Sequence, residues 1–394
     1  MSTLERLDLL HLDAALDDDD RRVRDAVRAW VDRRVMPEIE SWAWDGRFPR
    51  ELVPEMAEIG LLGAPYADYD LPGLSSVAYG LINQELERAD SGLRSFVSVQ
   101  TSLVMHPILT WGSDAQRDRW IPELGAGRAI GCFGLTEPDF GSNPGGMRTR
   151  AVRDGDGWVL NGEKAWITNG TIADVAVVWA RTDDGVRGFL VERDTQGFTT
   201  VEHRGKYSLR ASVTSQLVLA DCRVAGDAML PGTDGLRCAL MCLNQARYGI
   251  AWGALGSAEA TFGAALDYAR ERVQFRGRPI ASHQMVQDKL VWMYNEIVKG
   301  RLLALQLGRL KDAGQLRHEA VSLAKRNNVW VARECARLAR EIHGAAGIVN
   351  EHPIMRHLMN METVITYEGT HDIHTLVLGA YLTGIPAFNP PVED

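Results

Sequence analysis

The run Tyr367-Glu368-Gly369-Thr370 sets a carboxylate beside a glycine. Removing a proton next to a carbonyl takes a positioned base, and a carboxylate serves as one where a dry pocket raises its pKa toward neutrality. Gly369 removes side-chain bulk and lets other groups come close to the backbone. Taken alone, a glutamate beside a glycine is most often a solvated loop residue, so its surroundings must decide. Arg94 follows Asp90-Ser91-Gly92, a break between two apolar-periodic stretches that puts it at the start of a helix. Its fork would match a carboxylate, although most first-turn arginines are simply exposed. Gly141 and Ser142 form a small-residue loop whose amides suit a phosphate. Trp166 reads by default as a core aromatic, and Arg247 as either an anion ligand or a structural ion pair. The five cysteines, Cys132, Cys222, Cys238, Cys242 and Cys335, contain no CxxC pair. They suggest neither a disulfide framework nor a metal site, and fit reduced thiols in a cytoplasm.

The elements that must position these groups come from a chain of 394 residues, too long for one ordinary core. From 1 to 129 the sequence reads as helical: Val23, Val27, Trp30, Val31 and Val35 recur at helix spacing behind the Asp17–Asp20 run, and Pro37 ends that helix. Ser76–Ala89 and Leu93–Leu109 are two further periodic stretches. From 130 to 235 short β-favouring runs are punctuated by Asp154-Gly155-Asp156-Gly157 and Asn161-Gly162, which read as hairpin turns of a small antiparallel sheet or barrel. From 236 to 394 long amphipathic stretches, Leu236–Arg272, His283–Lys311 and Glu319–Ile342, suggest an antiparallel helix bundle. The fold class is therefore α+β, in the order helices, sheet, helix bundle.

Charge and leader signals narrow the function. With 43 basic and 52 acidic residues the net charge is −9, which argues against nucleic acid as the main partner. The acidic N-terminus has neither the basic start and apolar run of a secretory signal nor the arginines of a mitochondrial one. No run is long and uncharged enough to cross a membrane. A cytoplasmic protein is expected.

Several motifs, in order, match one family. Glu85 to Ser95 (ELERADSGLRS), Gly131 to Pro138 (GCFGLTEP), Trp166 to Thr168, Ala246 to Gly249 (ARYG), Arg272 to Phe275 (RVQF) and Thr366 to His374 (TYEGTHDIH) resemble the acyl-CoA dehydrogenases, and among them the glutaryl-CoA type. The resemblance runs from Arg21 to Phe388. It implies an N-terminal helical domain, a middle β domain and a C-terminal four-helix bundle, with FAD as cofactor. Glu368 would be the catalytic base, its own backbone N–H and a ribityl hydroxyl of FAD holding the thioester oxygen. Some relatives carry the base just before the equivalent of Arg247; here that residue is Ala246.

By the same resemblance Phe133, Leu135 and Thr136 line the flavin, Trp166, Ile167 and Thr168 pack on its other face, and Gly141 and Ser142 lie near phosphate or substrate. Arg272, Phe275 and Gln284 would reach the FAD of another protomer, met by Glu341, Gly344 and Ala345 from the neighbour, with Thr370 and Asp372 as further contacts. That implies a homo-oligomer, typically a tetramer. Gly344-Ala345-Ala346-Gly347 departs from the usual Gly-Gly-x-Gly by one methyl.

Arg94 matches the arginine that pairs the distal carboxylate of a dicarboxylic acyl-CoA, with Glu87, Ser95, Ser98, Arg247, Tyr367 and Gly369 completing the substrate pocket. Oxidative decarboxylation of glutaryl-CoA to crotonyl-CoA and CO2 is then expected, with electron-transfer flavoprotein as acceptor. The alternatives are a dehydrogenase of another short- or branched-chain acyl-CoA or acyl carrier protein thioester, an acyl-CoA oxidase, and a non-catalytic DNA-binding relative.

Overall fold

A computed structural model describes residues 3–387; Phe388, the far end of the resemblance, lies outside them. The first elements are helices: α1 Thr3–Arg6, α2 Asp18–Trp30, α3 Ile39–Asp45, α4 Val53–Glu58, α5 Ser76–Ala89, α6 Ser91–Ser98, α7 His106–Trp111 and α8 Asp114–Gly125. The starts of α5, α6 and α8 are written in the sequence as caps. Ser75 Oγ accepts from Ala78 N at 2.9 Å, Asp90 Oδ1 from Gly92 N at 2.7 Å, and Ser113 and Gln116 form a reciprocal capping box. Between α6 and α7 the backbone widens into π turns over Val99–Met105. The apolar periodicity read there as a single stretch thus spans two helices and a bulge.

Seven strands follow: β1 Gly131–Gly134, β2 Arg150–Asp154, β3 Gly157–Thr168, β4 Val175–Thr182, β5 Gly185–Glu192, β6 Phe198–Glu202 and β7 Thr214–Val224. Their order is β1-β4-β2-β3-β7-β6, with β5 on β4. Most pairings are antiparallel, but β1 and β2 run parallel to β4. Two glycines in the four residues of β1 hide it from propensity, and it is a strand because β4 pairs with it. Asp154-Gly155-Asp156-Gly157 is the hairpin turn expected. Asn161-Gly162 is not a turn. β3 runs straight through it, and the shift in register is taken up by β7, where Ala220 and Asp221 together face Asn161 as a bulge.

The chain then returns to helices: α9 Leu236–Glu271, α10 Gln284–Asp312, α11 His318–His343, α12 Ile354–Val364 and α13 His371–Thr383. Between α9 and α10, Arg278-Pro279 pairs with Val273-Gln274 in a small hairpin. At 36 residues, α9 is about 54 Å long, and it packs on α5 as well as on α10 and α11. One apolar cluster accordingly joins Val77, Leu81 and Leu86 of α5 to Ala251, Trp252 and Leu255 of α9 and Ala304 of α10. No described helix is long and apolar enough to cross a membrane.

Two glycines of α9 permit this approach. A Cβ on Gly256 would lie 1.9 Å from Gln84 O, and one on Gly253 would lie 2.1 Å from Glu87 Oε2. The junction of α5, α6, α9 and α11 is where the candidate groups meet.

Candidate active site

Glu368 stands on the short loop between α12 and α13, in the left-handed conformation at φ 53°, and Gly369 follows at φ 91°. Such a backbone costs a glutamate on the order of 1–2 kcal/mol, so neighbours must hold it. Thr370 caps α13 through Ile373 N at 3.1 Å. Arg247 Nε, on α9, donates to Glu368 O at 2.7 Å. From α11, Lys325 Nζ donates to the carbonyls of Tyr367, of Glu368 at 3.3 Å and of Gly369 at 2.7 Å. A Cβ on Gly369 would come within 2.9 Å of His374 Nε2, which is why the residue after the carboxylate is a glycine. The carboxylate itself is desolvated, with Oε2 sealed from solvent and free of hydrogen bonds among the described residues. Burial pushes its pKa above the ordinary glutamate value, and the charges of Lys325, Arg94 and Arg247 pull against that rise.

Beside it lies a polar cluster drawn from α5 and α6. Arg94 is 0% exposed, not the solvated first-turn arginine that its position alone would suggest. Its Nε donates to Glu87 Oε2 at 2.7 Å and its Nη2 to the Tyr367 hydroxyl. Glu87 also accepts from Ser91 Oγ at 2.9 Å, and Ser95 Oγ lies 3.3 Å from Tyr367 Oη. Arg94 Nη1 and Ser98 Oγ are buried and make no hydrogen bond among the described residues. The start of α6 is anchored through Asp90, whose Oδ2 accepts from Arg356 Nη1 at 3.1 Å and Asn360 Nδ2 at 2.8 Å. Asn360 in turn accepts from Leu209 N at 2.8 Å, which ties the sheet's long loop to the helices.

The sheet offers a second set. Lys164, fully buried, donates from Nζ to Leu135 O at 3.1 Å and to Glu137 Oε1 at 2.8 Å, and Ala165 N donates to Thr136 O at 2.9 Å. These bonds clamp the segment after β1 onto the end of β3. Phe133 and Leu135 turn into the core beside Trp179, so this segment presents Thr136 and its backbone outward. Trp166 is no core aromatic: at φ 62° it stands 66% exposed and stacks on His203 with centroids 4.8 Å apart. Ile167 is buried below it and Thr168 is half-buried. An exposed indole flanked by half-buried threonines suits a flat aromatic ring with polar edges, so the residues present fit a flavin. Gly141 and Ser142 lie in an exposed loop, with open space around Gly141.

The remaining candidates are peripheral. Arg272, Phe275 and Gln284 are exposed around the hairpin before α10, and Gly344, Ala345 and Asp372 are exposed near the ends of α11 and α13. Glu341 accepts from Arg337 and from Lys289 at 2.7 Å within its own chain.

Sequence reasoning missed Lys325 and Lys164. Lys325 left a signal, since it interrupts a buried stripe of α11 formed by Val321, Asn328, Ala332 and Cys335. A lysine in such a stripe is rarely there without partners. Among the described residues no three metal-ligating side chains converge, and all five cysteines are buried and unpaired.

Three family models cover most of the chain: the N-terminal domain of acyl-CoA dehydrogenase over residues 17–128, the middle domain over 132–222 and the C-terminal domain over 233–383. Mouse mitochondrial short-chain specific acyl-CoA dehydrogenase is 35% identical over 390 residues, 96% of this chain and 93% of that protein. Glutaryl-CoA dehydrogenase from Mycobacterium smegmatis superposes with a TM-score of 0.96 at 55% identity, covering 97% of this chain and 99% of the other. A Mycobacterium smegmatis glutaryl-CoA dehydrogenase in complex with FADH2 superposes with a TM-score of 0.96 at 51% identity, again over 97% and 99%. FAD is the cofactor of the family. With all three domain models matched in order and a desolvated glutamate at its centre, the chain belongs to the acyl-CoA dehydrogenase family.

Proposed function

We propose that this chain oxidises and decarboxylates glutaryl-CoA, with Glu368 as base and Arg94 as the partner of the substrate's distal carboxylate. The observation that carries the reading is the unspent hydrogen-bonding capacity of Arg94. Its guanidinium is sealed from solvent, two of its nitrogens are engaged, and Nη1 has no partner among the described residues; nor has Ser98 Oγ beside it. Leaving such donors unmatched costs about 1–3 kcal/mol each, and a carboxylate at the end of an acyl chain would satisfy both. That carboxylate could not enter an apolar pocket unpaired without a cost of several kcal/mol. The likeness to glutaryl-CoA dehydrogenases supports the same substrate.

Glu368 removes the α-proton, and its own backbone N–H faces the thioester oxygen as charge develops there. When bound, FAD supplies the acceptor for the β-hydride; Thr136, Trp166 and Thr168 would hold it. Arg94 keeps the γ-carboxylate in place, itself oriented by Glu87 and flanked by Ser95 and Tyr367. The bond to that carboxylate then breaks, its electron pair moving into the enoyl thioester as CO2 leaves. Glu368 returns a proton to the dienolate, giving crotonyl-CoA. Glu87 and Tyr367 each bind Arg94, and both keep it in place at the γ-carboxylate.

We further propose a homo-oligomer, with electron-transfer flavoprotein as the acceptor. Val273, Phe275 and Met285 expose large apolar side chains around the hairpin before α10, which supports a partner surface there.

The test is anaerobic bleaching of the FAD-loaded protein by glutaryl-CoA and by butyryl-CoA, followed by assay of CO2 and crotonyl-CoA with an artificial acceptor. Fast bleaching by glutaryl-CoA with CO2 release is expected. Arg94→Ala should lower glutaryl-CoA turnover about 100-fold or more, the loss of a buried charge-assisted contact, and butyryl-CoA turnover far less. Equal losses on both substrates would remove the carboxylate clamp. Bleaching by butyryl-CoA alone would keep the family and discard the substrate.

A further inference from the structure

Lys325 is used by none of the chemistry above, yet it is 1% exposed and bonded only to backbone. Its Nζ meets three consecutive carbonyls, those of Tyr367, Glu368 and Gly369. Three successive carbonyls converge on one point only where the chain curls, and the two positive φ angles at Glu368 and Gly369 make that curl. An ammonium has three hydrogens to give and an amine two. Three acceptors around one nitrogen therefore select the charged form, although burial favours the neutral one. Arg247 and Arg94 act in the same direction as burial, and the Glu368 carboxylate opposes them.

We propose that Lys325 is the positioning residue of the base: by gathering the three carbonyls around Glu368 it fixes where the carboxylate points and sets a positive charge behind it. This inference rests on the reading of Glu368 as base. Among the described residues the strained loop has no other clasp that gathers all three carbonyls. Arg247 binds one of the three carbonyls, and the Thr370 cap holds only the helix beyond. Lys325 is itself held within a well-packed face of α11, where Ser322 Oγ lies 3.0 Å from His374 Nδ1 and Asn328 Nδ2 donates to Ala251 O at 2.7 Å. The base and the ammonium thus move together or not at all.

The charge matters as much as the geometry. The ionisable groups that act on Glu368 are Lys325 from α11, Arg94 from α6 and Arg247 from α9, and Lys325 is foremost among the three in favouring the carboxylate. Tyr367 precedes it in the loop, Tyr79 of α5 feels its charge, and His374 of α13 feels Lys325, Arg247 and His371. Arg94 is already committed to Glu87, and His374 is held neutral by burial. Lys325 is therefore the cation whose removal changes the balance at Glu368 most.

The experiment compares wild type, Lys325→Met and Lys325→Gln in two measurements. The first is an infrared titration of the purified protein, labelled with carbon-13 at its glutamate carboxyls, with the Glu368 band assigned by its loss in Glu368→Gln. The second is the pH dependence of anaerobic bleaching by saturating acyl-CoA. In Lys325→Met the Glu368 midpoint should rise by about one unit or more, and bleaching near neutral pH should fall about 10–100-fold. Lys325→Gln, neutral but still a donor, should keep the raised midpoint and regain rate at high pH. It also carries the test should the methionine variant not fold. A folded variant with the wild-type titration and the wild-type acid limb would overturn the proposal, because a merely structural lysine would alter stability alone. A wild-type protein that no acyl-CoA bleaches would instead overturn the function proposed above, and the infrared titration would still decide the role of Lys325.

Discussion

Glu368, the base proposed above, is a glutamate from which water has been subtracted. Glu368 has one carboxylate oxygen sealed and unbonded, and burial lifts its pKa above the ordinary value of 4.5 while three nearby cations limit the rise. As the proposed base, Glu368 works deprotonated. The bleaching rate should therefore climb with pH through a midpoint above the ordinary glutamate range and be lost as pH falls below it. Glu368→Gln keeps the shape and removes the proton acceptor, so it should lower bleaching by about 10²–10⁴-fold or more with bound flavin retained. Wild-type bleaching in that variant would move the base elsewhere. At the same scale, Arg94 is a reminder that a residue's place in a helix says little about its exposure. The first turn of α6 faces α9 and the base, so a position usually solvated is sealed.

The elements position these groups by close approach and by buried clamps. Gly256 brings α9 against Gln84 O of α5, where a methyl would meet backbone that cannot yield. Gly256→Ala should cost about 1–3 kcal/mol, read as a lower urea midpoint at unchanged m-value. A neutral result would mean that the two helices can part without loss. On the sheet side, Glu137 accepts from Arg148 N at 2.6 Å, Thr149 N at 2.9 Å and Lys164 Nζ at 2.8 Å. Burial would raise its pKa, but those hydrogen bonds outweigh it and hold the carboxyl at about 2, against an ordinary 4.5. A depressed carboxyl stabilises above its unfolded value and loses that contribution as pH falls through its folded one. Glu137→Gln should therefore cost on the order of 1–2 kcal/mol near neutrality. The gap to wild type should close as pH drops from about 4.5 toward 2. A gap that persists at low pH would assign the effect to packing.

At the scale of the whole molecule, the groups proposed for proton removal lie together, whereas several of those proposed for the cofactor stand apart. Arg94 pairs with Glu87 and Tyr367, and Lys325 holds the backbone around Glu368, all within one chain, whereas Arg272, Phe275 and Gln284 stand in solvent, Phe275 at 78% exposure. If these side chains complete the flavin site of a second protomer, Arg272→Ala should weaken FAD retention about tenfold or more. The thermal midpoint of the FAD-free protein should not change. Light scattering should also find an oligomer whose FAD occupancy falls on dilution. A monomer with full FAD occupancy would end that reading.

Much was legible from the chain alone, and the physical reason is local. Caps, periodicity and turn chemistry depend on neighbours in sequence. The starts of α5 and α6, the spans of α9, α10 and α11 and the Asp-Gly hairpin of β2 and β3 could therefore be read directly, and ordered motifs carried the family. What depends on partners distant in sequence could not be read. β1 is a strand only because β4 lies beside it, Asn161-Gly162 continues β3 because β7 takes up the shift as a bulge at Ala220 and Asp221, and Phe133 turns inward to meet Trp179 with Leu135 in the same core. Lys325 is the clearest case. Forty-two or more residues separate it from the carbonyls it binds, and only the packing of α11 against the loop after α12 brings them together. The sequence determined which groups were available for chemistry; the tertiary structure decided which were dry, which were paired and which were left with a donor to spare, because desolvation and charge pairing are properties of neighbours in space.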